Sequence, residues 1–293
     1  MRVGSLFTGY GGLDMAVGGD LAWYAEIEAA ACQVLTQHHP DVPNLGDITE
    51  VDWSQVEPVD IITGGYPCQP FSTAGARKGK NDERHLWPYV RNALHALRPK
   101  YAILENVSGH LTLGLADVLA DLTEIGFNAE WGTYRASDVG APHRRERVFI
   151  IAHTDLKGLQ RTDLGLDLAK VRSDERGHAA MGGDAPTTNP NYADGEPQNP
   201  RVRRVAAGHV DWGKYEPAVR RWERLTRPAP NPTYQQSGRD RLNPEFVEWM
   251  MGLPAGHVTG HGLSTAKELK MLGNGVCPQQ AAAAISQLME RTA

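Results

Sequence analysis

The chain has 293 residues, 41% of them hydrophobic and 22% charged, with a formal net charge of −5. This composition suits a globular protein of one large domain, or one domain with a smaller companion. No apolar run is long enough to span a bilayer and the first residues lack the charged and apolar regions of a signal peptide, which argues against a membrane or secreted protein. Three cysteines (Cys32, Cys68 and Cys277), odd in number and far apart, form neither a disulfide framework nor a zinc pattern, so a reducing cytoplasm and no metal are expected.

Residues 2–6 (RVGSL) read as a buried strand, followed by the glycine-rich turn FTGYGG at 7–12 and a helix through Ala16. A second strand fits 22–27 and a helix fits 29–38. The apolar run 59–63 (VDIIT) ends at the turn GGYPCQPFS. A helix over 84–97, a strand over 101–104 leading into Glu105-Asn106-Val107, and a helix over 113–125 come next, then strands over 128–135 and 147–152. Strands alternating with helices predict a doubly wound, mostly parallel sheet with ligands at the carboxyl ends of its strands.

After His153 the pattern stops. Residues 173–200 are rich in Gly, Pro, Asn and Asp without periodicity, so no regular structure is assigned there. Residues 201–241 hold ten basic against four acidic side chains inside an otherwise acidic protein, interleaved with Trp212, Tyr215, Trp222 and Tyr234. Such a block fits a polyanion site or a solvated helix face with an aromatic edge. Pattern returns at Asn243-Pro244, a capping residue ahead of a first-turn proline, and the chain ends in an alanine-rich helix over 278–289.

The candidate chemistry lies in the turns. A strand, a glycine turn and a helix start can hold a nucleotide-like ligand or form only a tight turn. Glu26 and Glu28 stand where a carboxylate can bind ribose hydroxyls, and Asp47 follows a point where a third strand would end. In GGYPCQPFS, Pro67 and Pro70 restrict Cys68 and Gln69, as suits a thiolate that must meet one substrate atom. The PCQ and ENV turns should end neighbouring strands, bringing a thiol and a carboxyl to one small ring. In HRRER (143–147), alternation along an extended segment would place Arg145 and Arg147 on one side.

Together FTGYGG, EIE, GDI, GGYPCQPFS, ENV, HRRER, RLNPEFVEWMMGLP and LGNGV resemble the cytosine-5 DNA methyltransferase family, in its bacterial and phage type. The resemblance implies a Rossmann-like S-adenosylmethionine-dependent methyltransferase fold with a smaller target-recognition domain. Residues 1–154, completed by 268–293, would form the catalytic and cofactor-binding domain, and 155–267 the target-recognition domain with its hinge. It implies Cys68 as nucleophile, Glu105 on N3 of the cytosine, and Arg145 and Arg147 holding the base and the Cys68 loop. Phe7, Gly9, Gly11, Glu26, Ile27, Asp47 and Asn274 would bind S-adenosylmethionine. Gln69 and Ser72, with Arg203, Arg204, Arg220, Arg221 and Arg224 of the basic block, become candidate contacts to double-stranded DNA. His143 stands where this family carries Gln. A cytoplasmic, nucleoid-associated monomer is expected. A catalytically silent DNA-binding regulator and an RNA cytosine-5 methyltransferase are the alternatives.

Overall fold

The computed structural model describes residues 1–67, 86–154, 204–205 and 209–292. Its central sheet contains β1 (Arg2–Leu6), β2 (Asp20–Ala25), β3 (Ile61–Gly64), β4 (Tyr101–Val107), β5 (Asn128–Arg135) and β6 (Glu146–His153) in the order β2-β1-β3-β4-β6-β5. The pairs β1–β2, β1–β3 and β3–β4 are parallel, whereas β6 runs antiparallel to both β4 and β5. From β1 the chain steps to β2 on one side and to β3 on the other. The strand order thus reverses between β1 and β3, and a ligand crevice belongs at the carboxyl ends of those strands.

Residues next to each other in a strand point to opposite faces, which sorts the core into two layers. Ile62, Leu104 and Ile150 pack on one face with α3 (Trp87–Leu97) and α4 (Leu115–Glu124). Ile61, Ile103 and Ile151 face the other way, against α1 (Gly12–Val17) and the last helix α8 (Pro278–Thr292). Between these elements lie α2 (Ala29–His38), the two-residue strands β7 (Arg204–Val205) and β8 (His209–Val210), α5 (Glu216–Leu225), the hairpin β9 (Thr233–Gln236) and β10 (Arg239–Leu242), α6 (Pro244–Met250) and α7 (Thr265–Asn274). Asn243 caps α6, its Oδ1 accepting from the Glu245 amide at 3.1 Å.

Several expectations need correction. A strand before Asp47 does not form: the chain there makes one isolated bridge, Tyr24 with Asn44. The second strand stops at Ala25, so Glu26 and Glu28 follow it rather than end it. Helix α7 begins at Thr265, three residues before the edge drawn at residue 268. Helix α7 and the β9–β10 hairpin were not anticipated, while α5 lies in the basic block for which a helix face was one of the two readings.

Residues from α5 and α6 share a third apolar cluster with the first turn and α2. Trp212, Trp222 and Trp249 pack there with Tyr10, Ala30, Val34 and Leu272. The rings of Trp212, Phe246 and Trp249 stack at 5.7 and 5.4 Å. The fully buried Glu248 holds the loop after α6, accepting from the amides of Val258, Thr259 and Gly256 and from Thr259 Oγ1 at 2.7–3.1 Å. A buried carboxylate is tolerable when donors surround it in this way.

The chain end is fastened to the first turn by Tyr10. Its hydroxyl donates to the Val276 carbonyl at 2.6 Å. A Cβ on Gly275 would lie 1.8 Å from Tyr10 Cε1, and one on Gly12 would lie 2.3 Å from the Val276 carbonyl oxygen. Only glycine admits such close approach, so the ring and the backbone of 275–276 are packed as one unit. Tyr10→Phe keeps the ring and loses the buried hydrogen bond, and a stability loss of about 1–3 kcal/mol is expected in urea unfolding. Gly275→Ala should cost more, because the methyl overlaps a ring that has no room to move.

Candidate active site

Backbone geometry shapes the start of the site. After β1, Phe7 and Gly9 adopt φ of 52° and 57°, and the Phe7 amide donates to the Ala25 carbonyl at 2.9 Å. A Cβ on Gly9 would meet nothing within 4 Å, so the turn encloses open space. That space is a cavity of ≈ 260 Å³, and Phe7, Gly9, Glu26, Asn274 and Glu105 all line it. Glycine turn and candidate catalytic carboxyl therefore share one chamber, as the β1–β3 reversal requires.

Glu26 fixes one wall. Its Oε2 accepts from the Gly9 amide at 2.8 Å and its Oε1 from the amides of Ile27 and Glu28 at 2.9 and 2.8 Å. An ionised carboxylate offers about four acceptor sites, so three amides leave room for a ligand hydroxyl. Asn44 braces the same wall: its Oδ1 accepts from the Glu26 amide and its Nδ2 donates to the Glu26 carbonyl. Lys270 of α7 meets Glu28 at 3.1 Å across the opening, an exposed pair of little energetic weight.

Three of the expected cofactor residues do not line the chamber. Gly11 (φ 80°) instead precedes α1 in a left-handed conformation. Ile27 is 68% exposed. Asp47 turns its Oδ1 to the amide and hydroxyl of Thr49 at 2.9 and 2.8 Å.

At the other end, Glu105 is 7% exposed and Arg147 Nε lies 2.9 Å from its Oε1. The pair is close, but the N–H is not aligned as a hydrogen bond, so the attraction is mainly coulombic. Burial pushes the Glu105 carboxyl up, opposed by the guanidinium groups of Arg147 and Arg145. Asn106 ties this strand to the neighbouring one, Nδ2 donating to the Tyr66 carbonyl at 3.0 Å. It thereby fixes the Tyr66-Pro67 backbone that leads directly into Cys68. Cys68, Gln69 and Ser72 lie outside the described residues, as does Arg203.

The two arginines do not act alike. Arg145 is not extended: it has φ 26° and precedes β6, so simple alternation with Arg147 does not hold. Its guanidinium donates to the carbonyls of Gly273 at 3.0 Å, Asn274 at 3.4 Å and Gly275, and thus caps the end of α7. Gln280 Nε2 in turn donates to the Arg145 carbonyl at 2.8 Å. His143 Nε2 bonds the Met250 carbonyl at 2.9 Å, and because that partner only accepts, the ring nitrogen donates. Burial lowers the His143 pKa, which keeps the ring neutral.

In the basic block, Arg220 is held at 2.7 Å by both Glu216 and Glu223, and Arg221 Nε donates to the Gly140 carbonyl at 3.3 Å. Arg224 is exposed and makes no ion pair among the described residues. Arg204 belongs to β7, opposite Val210. Sequence reasoning missed Asp14, Asn44, Lys270 and Gln280. Only Asp14 carried a signal, as the sole acidic side chain of α1.

Glu105 gives a pH-dependent test. Its folded-state pKa lies above its ordinary value, so stability from the neutral carboxyl is present below the unfolded pKa and lost as pH rises through the folded one. Arg147→Met removes the main opposing charge and raises the folded value further. The variant is expected to lose stability from about pH 5 upward, reaching roughly 3 kcal/mol once Glu105 ionises. Urea unfolding at several pH values measures this, and adding Glu105→Gln should flatten the extra dependence.

Among the described residues no helix is long and apolar enough to cross a membrane, and no group of His, Cys, Asp and Glu could hold a metal ion. The sequence profile of C-5 cytosine-specific DNA methylase matches residues 1–180. The Type II methyltransferase M.NlaIV of Neisseria lactamica is 37% identical over 138 residues, which is 43% of this chain and 33% of that protein. The orphan methyltransferase M.SPRI of Bacillus phage SPR is 33% identical over 164 residues, 52% of this chain and 37% of that protein. The chain thus spans well under half the length of these curated relatives. Among solved structures, the S. pombe Dnmt2 methyltransferase aligns with a TM-score of 0.65 at 18% identity, covering 100% of this chain and 99% of that one. Entamoeba histolytica methyltransferase EhMeth gives 0.63 at 17%, covering 100% and 99%. At such identities the structures establish a shared fold, a Rossmann-like sheet. With the profile matched over more than half of its length, the chain belongs to the C-5 cytosine-specific DNA methylase family.

Proposed function

We propose that the protein transfers a methyl group from S-adenosylmethionine to C5 of a cytosine in double-stranded DNA. The observation that carries this reading is the single chamber joining the glycine turn to Glu105. Its walls also fit the donor. Asp14, Glu26, Glu28 and Glu105 face Lys267 and Lys270, an acidic balance that suits a cationic ligand without phosphates. S-adenosylmethionine would supply an electrophilic methyl group. Phe7, Gly9, Glu26 and Asn274 would line its site, with a ribose hydroxyl on Glu26 and the adenine covering the exposed Ile27. Asp47 keeps its second carboxylate oxygen for the adenine amino group, and Gly11 serves the turn.

Cys68 is the nucleophile in this reading. The thiols of Cys32 and Cys277 are poor candidates, since burial raises both, Cys277 to about 11. The Cys68 thiolate adds to C6 while Glu105, a carboxyl whose hold on a proton burial strengthens, donates its proton to N3. C5 thereby becomes enamine-like and takes the methyl group. A base then removes the C5 proton, the electron pair expels Cys68, and N3 returns its proton to Glu105. Arg147 orients Glu105, while Arg145 fixes the Asn274 backbone beside it. C6 is hidden in stacked duplex, so the nucleotide must be flipped out.

Residues 155 to about 264 would serve target recognition. Of the arginines in α5, Arg221 and Arg224 make no ion pair among the described residues, Arg221 being tied to the Gly140 carbonyl, whereas Arg220 is already neutralised by two glutamates. Arg224→Ala should lower the slope of log affinity against log salt by about 1, and Arg220→Ala should change it less. A titration of duplex DNA at several salt concentrations measures this.

Activity is tested by transfer of labelled methyl groups to duplex DNA. Cys68→Ala should abolish transfer, and Glu105→Gln should lower kcat by about 10²–10⁴-fold while cofactor binding survives. Wild-type rates from Cys68→Ala would overturn the mechanism. Covalent trapping of the wild type on 5-fluorocytosine DNA, with no trapping on transfer RNA, is the expected companion result.

A further inference from the structure

Asp14 has no part in the mechanism above, yet it lines the chamber. Its two carboxylate oxygens accept from Ser5 Oγ at 2.8 Å and from Thr63 Oγ1 at 2.5 Å. Ser5 and Thr63 face each other in the β1–β3 register, so both hydroxyls sit at the reversal of strand order. They supply hydrogen bonds but no charge.

Among the described residues no cation of the surrounding elements neutralises Asp14: α8, packed on α1, carries only Glu290 and Arg291 as charged residues, and Arg291 donates to the Trp131 carbonyl. Helix α1 has no other titratable side chain, and β3 has none. On β1 the charged residue is Arg2, taken by Glu57 at 2.8 Å. The segment after α7 brings only Cys277, whose thiol stays protonated. Of the chamber's remaining charges, Glu26, Glu28 and Glu105 are acidic, Lys270 is paired with Glu28, and Lys267 makes no ion pair among the described residues. A carboxyl kept in such a place is costly to ionise until a positive charge arrives.

We propose that Asp14, held by Ser5 and Thr63, is the counter-ion for a cationic group at the amino-acid end of the methyl donor. This rests on the cofactor reading above and adds to it a charge requirement and a proton linkage. Burial holds the Asp14 carboxyl up at about 6, against the two hydroxyl bonds. A bound cation favours the ionised form, so binding below and near that pH releases a proton. Affinity rises with pH through about 6 and then levels off, because the binding-competent carboxylate is fully formed above it.

S-adenosylmethionine carries a sulfonium and an ammonium, S-adenosylhomocysteine only the ammonium, and 5′-methylthioadenosine neither. Calorimetric titration of the full chain with all three, at about pH 5.5 and about pH 7.5 and in two buffers of different ionisation enthalpy, separates the cases. For wild type, proton release and stronger binding at the higher pH are expected with S-adenosylmethionine, and neither with methylthioadenosine. Asp14→Asn should weaken S-adenosylmethionine by about tenfold or more and leave methylthioadenosine unchanged. Equal weakening of S-adenosylhomocysteine assigns the ammonium, and its sparing assigns the sulfonium. Glu105→Gln must keep the pH dependence, because Glu105 also titrates in this chamber. Unchanged affinity in Asp14→Asn, or equal loss for all three ligands, overturns the counter-ion. The wild-type proton release needs no variant to fold, and its absence also overturns it. Wild type that binds none of the three overturns the cofactor reading itself.

Discussion

The contact on which the site depends is the Tyr10 ring clasped between Gly12 and Gly275. The first glycine turn cannot close without residues from the far end of the chain, because its ring occupies the space where side chains at 12 or 275 would be. The hydroxyl then fixes the Val276 carbonyl, and α8 runs from there back across β5 and β6. One tyrosine therefore couples the first strand of the sheet to its last helix. Such a coupling is cooperative: the turn that shapes the chamber is rigid only when the C-terminal segment is docked.

A second constraint is electrostatic. Four carboxyl groups line the chamber, and each is managed differently. Glu26 is stabilised by three amides, Glu28 by an exposed lysine, Glu105 by a half-buried guanidinium, and Asp14 by two hydroxyls alone. The first arrangement surrounds the carboxyl with fixed backbone donors. The last two leave carboxyls whose burial outweighs their partners, so both hold a proton more tightly than an exposed carboxyl, Asp14 up to about pH 6. In one small space the structure thus sets a carboxyl held by backbone amides beside two carboxyls whose proton affinity burial raises.

Much of this was legible in the sequence where the signal was local. The alternating strands and helices, the glycine turn and the Asn243 cap follow from period and residue type. The strand expected before Asp47 failed because a single bridge at Asn44 replaces it, held by side-chain bonds to Glu26 that no periodicity encodes. The basic block misled in part, since Glu216, Arg220 and Glu223 stand at helical spacings and consume one another's charge. That pattern could have been read, had the start of the helix been placed at Pro217 and its register followed. The partners of Asp14 could not, because Ser5 and Thr63 meet it only once β1 and β3 pair.

Arg145 shows how the chain end reaches the chemistry. Its backbone lies at positive φ, which a non-glycine residue adopts at a cost, so neighbouring contacts must enforce it. Gln280 grips its carbonyl from α8, and three carbonyls at the end of α7 grip its guanidinium. The turn leading into Arg147 is therefore set by residues 273–280, the same stretch that Tyr10 locks to the glycine turn. Arg147 can then extend along β6 toward Glu105, because β6 runs antiparallel to β4 and brings residue 147 opposite Val107. An antiparallel strand in a mostly parallel sheet thus has a specific effect here. It makes β6 begin at the carboxyl end of β4, and so places a cation beside an acid that a parallel strand beginning at the amino end would have left at the opposite edge.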